Sequence, residues 1–317
     1  RWWPGPAMVM DVDIEGFARG IALSHYQYGM TFENIRMTGQ RTIGIANDQN
    51  VVTMRKLHFE GSVPVYKSGS RHNVLCLLDS TITGTGTADM AAFESDGIMN
   101  LRRVTVSGYG TIVRNRHKNG KNLPAEEGSP TVIDSYDLVR PGPDDEWVVA
   151  GATGTELQAQ IDAGAEFICV KPLKAILLTE PLILRNKVRL IFGMNGHLAR
   201  DKENWQGGNV LVRVEDGDVP LVVMEHMYVS GAIENAGSRT FCLRHGDLKG
   251  FRGTGSGKTH IVDVIGKGYD IEPGHTLWAR QLNAEFGSEP LFVNGGTSWI
   301  LGFKMESSTA GSEHAPQ

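Results

Sequence analysis

The sequence predicts an all-β chain made of two tandem right-handed parallel β-helices, solenoids in which the backbone winds in stacked coils. Three observations point there. Glycine supplies 39 of 317 residues, well above the roughly 7% average. Short strands of alternating polarity end in glycine at a near-constant spacing. Only one stretch carries a convincing helical pattern.

The spacing defines the first solenoid, residues 1–114. Its markers are Gly16 in VDIEG, Gly39 in IRMTG, Gly61 in LHFEG, Gly84 in STITG and Gly108 in VTVSG. The interval between successive markers varies by no more than two positions. Ahead of most of them apolar and polar residues alternate, as in Val104-Thr105-Val106-Ser107, the period-two pattern of a strand with one inward face. A second apolar pair follows four of the glycines: Ile21 and Leu23, Ile43 and Ile45, Val63 and Val65, Ile112 and Val113. Periods of this size mark a repeat architecture. A single coil cannot bury its apolar side alone, so copies must stack. Glycine is expected at the bend, where backbone angles are closed to other residues. Leucine-rich repeats lack support, because the LxxLxL frame is absent. The chain opens on Arg1-Trp2-Trp3, and the first solenoid is expected to lack its opening coils.

Residues 115–150 are polar and rich in proline and glycine, and read as a linker with a few local strands. The second solenoid, residues 151–317, opens on a short helix. Thr153 and Glu156 form a capping-box pattern, and Leu157 and Ile161 follow one turn apart. Such a helix can cover the unpaired strand edges at a solenoid's open end. From Phe167 onward short strands resume (FICV, AILL, PLIL, VRLIF, VLVRV, PLVVM, TFCLRH, HIVDVIG, HTLWARQ, PLFV and SWILGFKM). Their period is less regular, and a β-sandwich is the alternative for this half.

Composition narrows the functional classes. The formal net charge of −5 gives no electrostatic reason to expect nucleic acid or an anionic membrane as partner; a neutral glycan is compatible with it. No apolar run reaches the length of a membrane span. Cys76, Cys169 and Cys242 each sit in an apolar run and are expected to be buried small hydrophobes. Their odd number and wide spacing argue against a disulfide scaffold or a zinc site, and no metal or cofactor is expected. The run Gly253–Thr259, GTGSGKT, imitates a phosphate-binding loop. Arg252 stands where that motif needs its first glycine, and His260-Ile261-Val262-Asp263-Val264 predicts a strand where the motif needs a helix. It reads as a turn between coils, with no nucleotide.

Polar and aromatic residues gather most densely between His275 and Glu306. The separation of Trp278 from Trp299 equals that of Glu285 from Glu306. Coils of that length stack both pairs on adjacent rungs of one face. Two neighbouring carboxyl groups are what glycoside cleavage requires, since one must stay protonated to deliver a proton to the leaving oxygen. Indole rings pack on sugar faces, and Arg280, Gln281, Asn283 and Lys304 supply hydroxyl-binding groups. The same tryptophans also fit a core role.

WARQLNAE followed by NGGTSWILGFKMES resembles the C-terminal solenoid of family 55 glycoside hydrolases, β-1,3-glucanases built from two tandem β-helices. LILRNKVRLIFGMNGHL resembles the start of that family's second helix, and HYQYGMTFENIRMTGQRTIGIAND its first. The resemblance implies inverting, metal-free cleavage of β-1,3-glucan, with Glu306 as general acid and Glu285 as a second acidic group of the site. Gln27 would help position the attacking water, with His25 standing where the family has another glutamine and Gln49 near a third polar position. Trp278, Arg280, Gln281, Asn283, Trp299 and Lys304 would bind substrate. KPLKA at 171–175 departs from the family's Pro-Gly-x-Tyr turn. The resemblance also implies an extracellular or periplasmic place of work. Two other readings remain: a glycan-binding or structural solenoid without catalysis, and a pectate-lyase-like enzyme. The acids available to the latter, Asp89, Glu94 and Asp96, do not fit a calcium loop.

Overall fold

The structure, a computed structural model, describes residues 7–24, 29–115, 122–123, 139, 141–287 and 292–307, with backbone alone at 115, 122–123, 286–287 and 305–307. The chain divides into two compact units, Arg1–Val132 and Ile133–Gln317, and each is a stack of parallel strands.

In the first unit the strands Ala7–Glu15, Gly29–Thr38, Val51–Gly61, Val74–Ser95 and Ile98–Asn115 pair in parallel, each with the next coil. Glu15, Thr38, Glu60, Thr83 and Ser107 are register partners in succession. Their separations reproduce the glycine spacing of the sequence. Three apolar columns face inward. One is Val9, Phe32, Met54, Leu77 and Leu101; another is Ile14, Met37, Phe59, Ile82 and Val106. The third, Val12, Ile35 and Leu57, continues to Ser80, whose hydroxyl accepts from the Leu57 N–H at 2.9 Å and donates to the Leu78 carbonyl at 2.7 Å, so the buried oxygen is satisfied. A second ladder runs Ile21, Ile45, Tyr66, Phe93 and Val113. The apolar pairs after the glycines mark it with one slip: Ile112 is 52% exposed, because Val113 takes the inward place beside Phe93.

The bends differ from the expected glycine pattern. Gly16, Gly39 and Gly108 are left-handed, with φ of 73°, 70° and 80°, whereas Gly61 and Gly84 are register partners inside the ladder. The position that is left-handed in every coil lies five residues earlier and is never glycine. It is Asp11, Asn34, Lys56, Asp79 and Arg103, with φ between 49° and 58°. Such angles cost an L-residue roughly 1–2 kcal/mol, and side chains at this corner offset part of it. The Asn34 amide donates to Asp11 at 2.7 Å. Arg55, next to the corner, bridges Glu33 and Asp79 at 2.9 Å each, and Arg103 also donates to Asp79. Burial pushes the Asp79 carboxyl up, but the hydrogen bonds from Arg103 and Arg55 outweigh it and hold the group below the usual carboxylate range.

The second unit begins earlier than the sequence suggests. Trp147–Val149, in the segment read as linker, pairs with Phe167–Cys169 as the first strand of its sheet. The ladder continues through Leu190–Arg200, Leu221–Asn235, Thr240–Gly253, Lys258–Gly266, Thr276–Gly287 and Thr297–Ser307. Every pairing is parallel, which excludes the β-sandwich, an antiparallel architecture. Phe192, Glu225, Arg244, Val262, Arg280 and Leu301 form one column. From Glu225 to Arg280 its coils are shorter than those of the first unit, and the step to Leu301 lengthens again. Helix Gly154–Asp162 carries the expected capping box and buries Leu157 and Ile161 against this core.

Only Cys242 is fully buried; Cys76 and Cys169 are half-buried. Strand alternation puts Cys76 outward between inward Leu75 and Leu77. GTGSGKT is a turn, leading into strand Lys258–Gly266. Its N–H groups are already engaged: those of Thr254 and Gly255 donate to the Asn235 carbonyl at 3.0 and 2.9 Å, and that of Gly257 to Gly237 at 3.0 Å. Among the described residues no helix is long and apolar enough to cross a membrane.

The left-handed corner and three partly or fully buried histidines each make a testable demand. Lys56 is exposed and left-handed, so Lys56→Gly raises stability by about 1 kcal/mol while Lys56→Val, β-branched at the same φ, lowers it by at least as much; urea titration in which both variants match the parent contradicts the strained corner. In the second unit His197, His226 and His275 are held below their ordinary 6.5. Burial is the main cause at all three, helped by the charge of Lys249 at His197 and of His245 at His226, and opposed at His275 by its hydrogen bond to Gly255. As pH falls below 6.5 the unfolded chain takes protons that the folded chain resists, so stability drops from pH 7 towards 5.5. A melting temperature that rises over that interval contradicts this linkage.

Candidate functional site

The parallel pair Thr276–Gly287 and Thr297–Ser307 holds most of the residues singled out by the sequence. Their register runs from Thr276↔Thr297 to Glu285↔Glu306 and includes Trp278↔Trp299 and Asn283↔Lys304. Leu277, Ala279, Leu282 and Ala284 are fully buried in the core, so Trp278, Arg280, Asn283 and Glu285 point outward. Two outward residues are separated by an inward one except at Gln281. This residue is left-handed, φ 52°, opposite Gly302 at 78°, and bends the strand. Trp278 and Arg280 therefore precede the corner, and Asn283 and Glu285 follow it, on outer faces that meet there.

Before the corner the two indoles lie nearly parallel, 9° apart with centroids at 5.8 Å. They continue an outward column through Cys242 and His260. That column is apolar further back, where Phe167, Leu190, Val223 and Cys242 form a cluster against which Val139 and Leu221 pack. Trp278 is half-buried, while Trp299 is 41% exposed. The Trp278 Nε1–H is buried without a partner among the described residues.

After the corner the site is polar. The Asn283 amide donates to Glu285 Oε1 at 2.6 Å, and Lys304 Nζ lies 3.6 Å from the same oxygen. The Asn283 Oδ1 is buried and unpartnered among the described residues. Beneath, the buried Tyr269 hydroxyl donates to the Asn283 carbonyl at 3.4 Å. Burial, together with the charges of Asp247 and Glu285, pushes that phenol far up and keeps it protonated. Glu306 stands one rung from Glu285 in the backbone register; its side chain lies outside what the structure describes. Arg280, Gln281 and Asn283 are all nearly fully buried, since they crowd the corner, and Arg280 and Gln281 have further partners of their own.

Asp247 is a member of this group that the sequence did not reveal. It lies in the outward column Tyr228, Asp247, Ile265, Asn283 and Lys304. Burial raises its carboxyl above the ordinary range, and the charge of Glu285 adds to that against the opposing effect of Lys249 and Lys267. Only the short coils from Asp247 to Ile265 and from Ile265 to Asn283 bring it into line. The longer spacing shared by the tryptophans and the glutamates would not have found it.

Gln27 and His25 lie outside the described residues. Gln49 is an exposed bend residue of the first unit. Among the described residues no group of His, Cys, Asp and Glu has an arrangement that could hold a metal ion. Glu94, one of the acids open to a calcium-dependent reading, is paired with Lys67 at 3.5 Å and Arg114 at 3.3 Å.

No protein-family model matches the chain, and neither a curated protein nor a solved structure matches it.

Because the Glu285 charge is one cause of the raised Asp247 pKa, Glu285→Gln lowers it. Burial, the larger cause, keeps the value above 3.8, the ordinary one. Carboxyl carbon chemical shifts followed through a pH titration read this directly; an Asp247 titration unmoved by the substitution shows that the two groups do not share a site.

Proposed function

We propose that the chain is a glycoside hydrolase that cleaves β-1,3-glucan with inversion, without a metal, in the manner of the family 55 enzymes it resembles. The observation that carries the reading is the in-register pairing of Glu285 with Glu306, on the outer face across the corner from the stacked Trp278 and Trp299 rather than on the same face. Parallel strands run about 4.8 Å apart, so the two acids stand on adjacent rungs. Glu306 is assigned as the acid that protonates the leaving oxygen. Glu285, held by Asn283 and Lys304, is assigned as the second acidic group of the site.

The corner suits a neutral sugar. Trp299 offers an exposed ring for the apolar face of a pyranose. Of the other residues the resemblance assigns to substrate, Lys304 is half-buried, while Arg280, Gln281 and Asn283 are nearly fully buried and hold the corner from within. The same resemblance carries an extracellular or periplasmic setting into the proposal.

Laminarin is the substrate that tests this. The parent chain should release sugar whose new anomeric centre is α, seen by proton NMR before mutarotation. Glu306→Gln should lower the rate about 10²–10⁴-fold with circular dichroism unchanged. β-configured product refutes inversion, undiminished turnover refutes the acid, and binding of laminarin without any product leaves a glycan-binding solenoid as the function.

A further inference from the structure

A second site stands apart from the two glutamates. The second unit carries a groove of about 530 Å³ lined by successive coils from Arg200 to Val293, within the size of small-molecule sites. Its floor is made of small residues: Ser230, Gly231, Ala232, Gly250 and Gly268. At Gly250 the φ lies outside the left-handed region, and a methyl group there would meet nothing nearer than 3.6 Å. Neither backbone geometry nor packing requires glycine at this position, which sits in a strand where glycine costs stability. What its small size provides is room in the groove.

The charges on the walls are unevenly matched. At one end Arg252 is surrounded by Glu234, Asp270 and Glu272 at 3.7, 3.8 and 3.1 Å and is fully compensated. At the other end stand Arg200 and Lys249, neither of which forms an ion pair among the described residues. Each is instead placed against an aromatic ring. The Arg200 guanidinium lies 5.3 Å from the Trp205 ring centre and donates to the Asn209 carbonyl at 2.8 Å. Its Nε is buried and unpartnered among the described residues. Lys249 Nζ lies 5.8 Å from the Tyr228 ring centre, and the carboxylate that feels its charge, Asp247, makes no contact with it as close as an ion pair. Rings of this kind hold a cation in place without neutralising it.

We propose that this groove binds an anionic sugar, its carboxylate received by Arg200 and Lys249 and its ring lying over Gly250. Arginine presents a planar fork suited to a carboxylate, and charge-assisted hydrogen bonds of this type are the strong ones. The reading does not depend on the proposed hydrolysis: an acidic sugar bound here can be a substituent or branch of a longer glycan, whichever reaction the chain performs.

Cellobiouronic acid and cellobiose, which differ by one carboxylate, test the proposal by isothermal titration calorimetry on the full chain. The acid should bind more tightly than the neutral sugar, with an affinity that falls as salt rises. Arg200→Gln and Lys249→Gln should each weaken it about tenfold. Gly250→Val, which fills the groove with a residue favoured in strands, should abolish it with the melting temperature kept. Equal affinity for the two sugars, no measurable binding of the acid, or acid binding that survives both Lys249→Gln and Gly250→Val overturns the site. The last two variants alter exposed or open positions, so the result stands even where Arg200→Gln fails to fold.

Discussion

In-register pairing of each coil with the next is the constraint on which everything else in this molecule depends. A strand of one coil satisfies its N–H and C=O groups only through the coils above and below. Once that pairing is set, side chains stand in columns, and every column is either inward or outward along its whole length. The cost of the register is concentrated at one corner, where a residue must turn left-handed in coil after coil. In the first unit that residue is Asp11, Asn34, Lys56, Asp79 and Arg103; in the second it is His226, His245, Asp263, Gln281 and Gly302. Neighbouring side chains soften the strain. The first unit uses the Glu33–Arg55–Asp79–Arg103 chain of ion pairs. The second uses Arg244 on Glu225, His245 on Asp263 and the stacking of His226 on His245 at 4.9 Å.

The candidate site is a consequence of the same corner. Without the left-handed Gln281, Arg280 and Glu285 would point to opposite sides of one strand. With it, the indoles and Arg280 sit on one outer face and Asn283, Glu285 and Lys304 on the next. The columns then bring in Asp247, two coils before Asn283. Three features meet around the corner: an aromatic surface on one face and, on the next, a hydrogen-bonded carboxylate with a lysine beside it and a half-buried carboxyl whose pKa is raised. The groove with Arg200 and Lys249 arises differently, from small residues stacked on successive rungs.

Much of the fold was legible because stacked coils repeat one pattern of residues. Gly16, Gly39, Gly61, Gly84 and Gly108 report the register faithfully, even though only three of them occupy a bend. The helix was legible from Thr153 and Glu156, a local signal that needs no tertiary context. The left-handed column was not, because Lys56 and Arg103 have no propensity for that conformation; packing imposes it. The first strand of the second unit was hidden for a similar reason, since Trp147–Val149 is a short run in a polar segment and is strand only by pairing with Phe167–Cys169. In the site, Trp278 with Trp299 and Glu285 with Glu306 could be read from one spacing. Asp247 could not, since the coils leading up to Asn283 are shorter than the one that separates the two glutamates.

The central claim is that Glu285 and Glu306 occupy the same place on adjacent rungs, and cross-linking measures it directly. In-register positions on neighbouring parallel strands lie about 4.8 Å apart at Cα, within the span a disulfide bridges. A chain carrying Glu285→Cys with Glu306→Cys should form an intramolecular disulfide under mild oxidation, while Glu285→Cys with Met305→Cys, one residue out of step, should not. A bond in the second pair and none in the first contradicts the register and with it the site built on it.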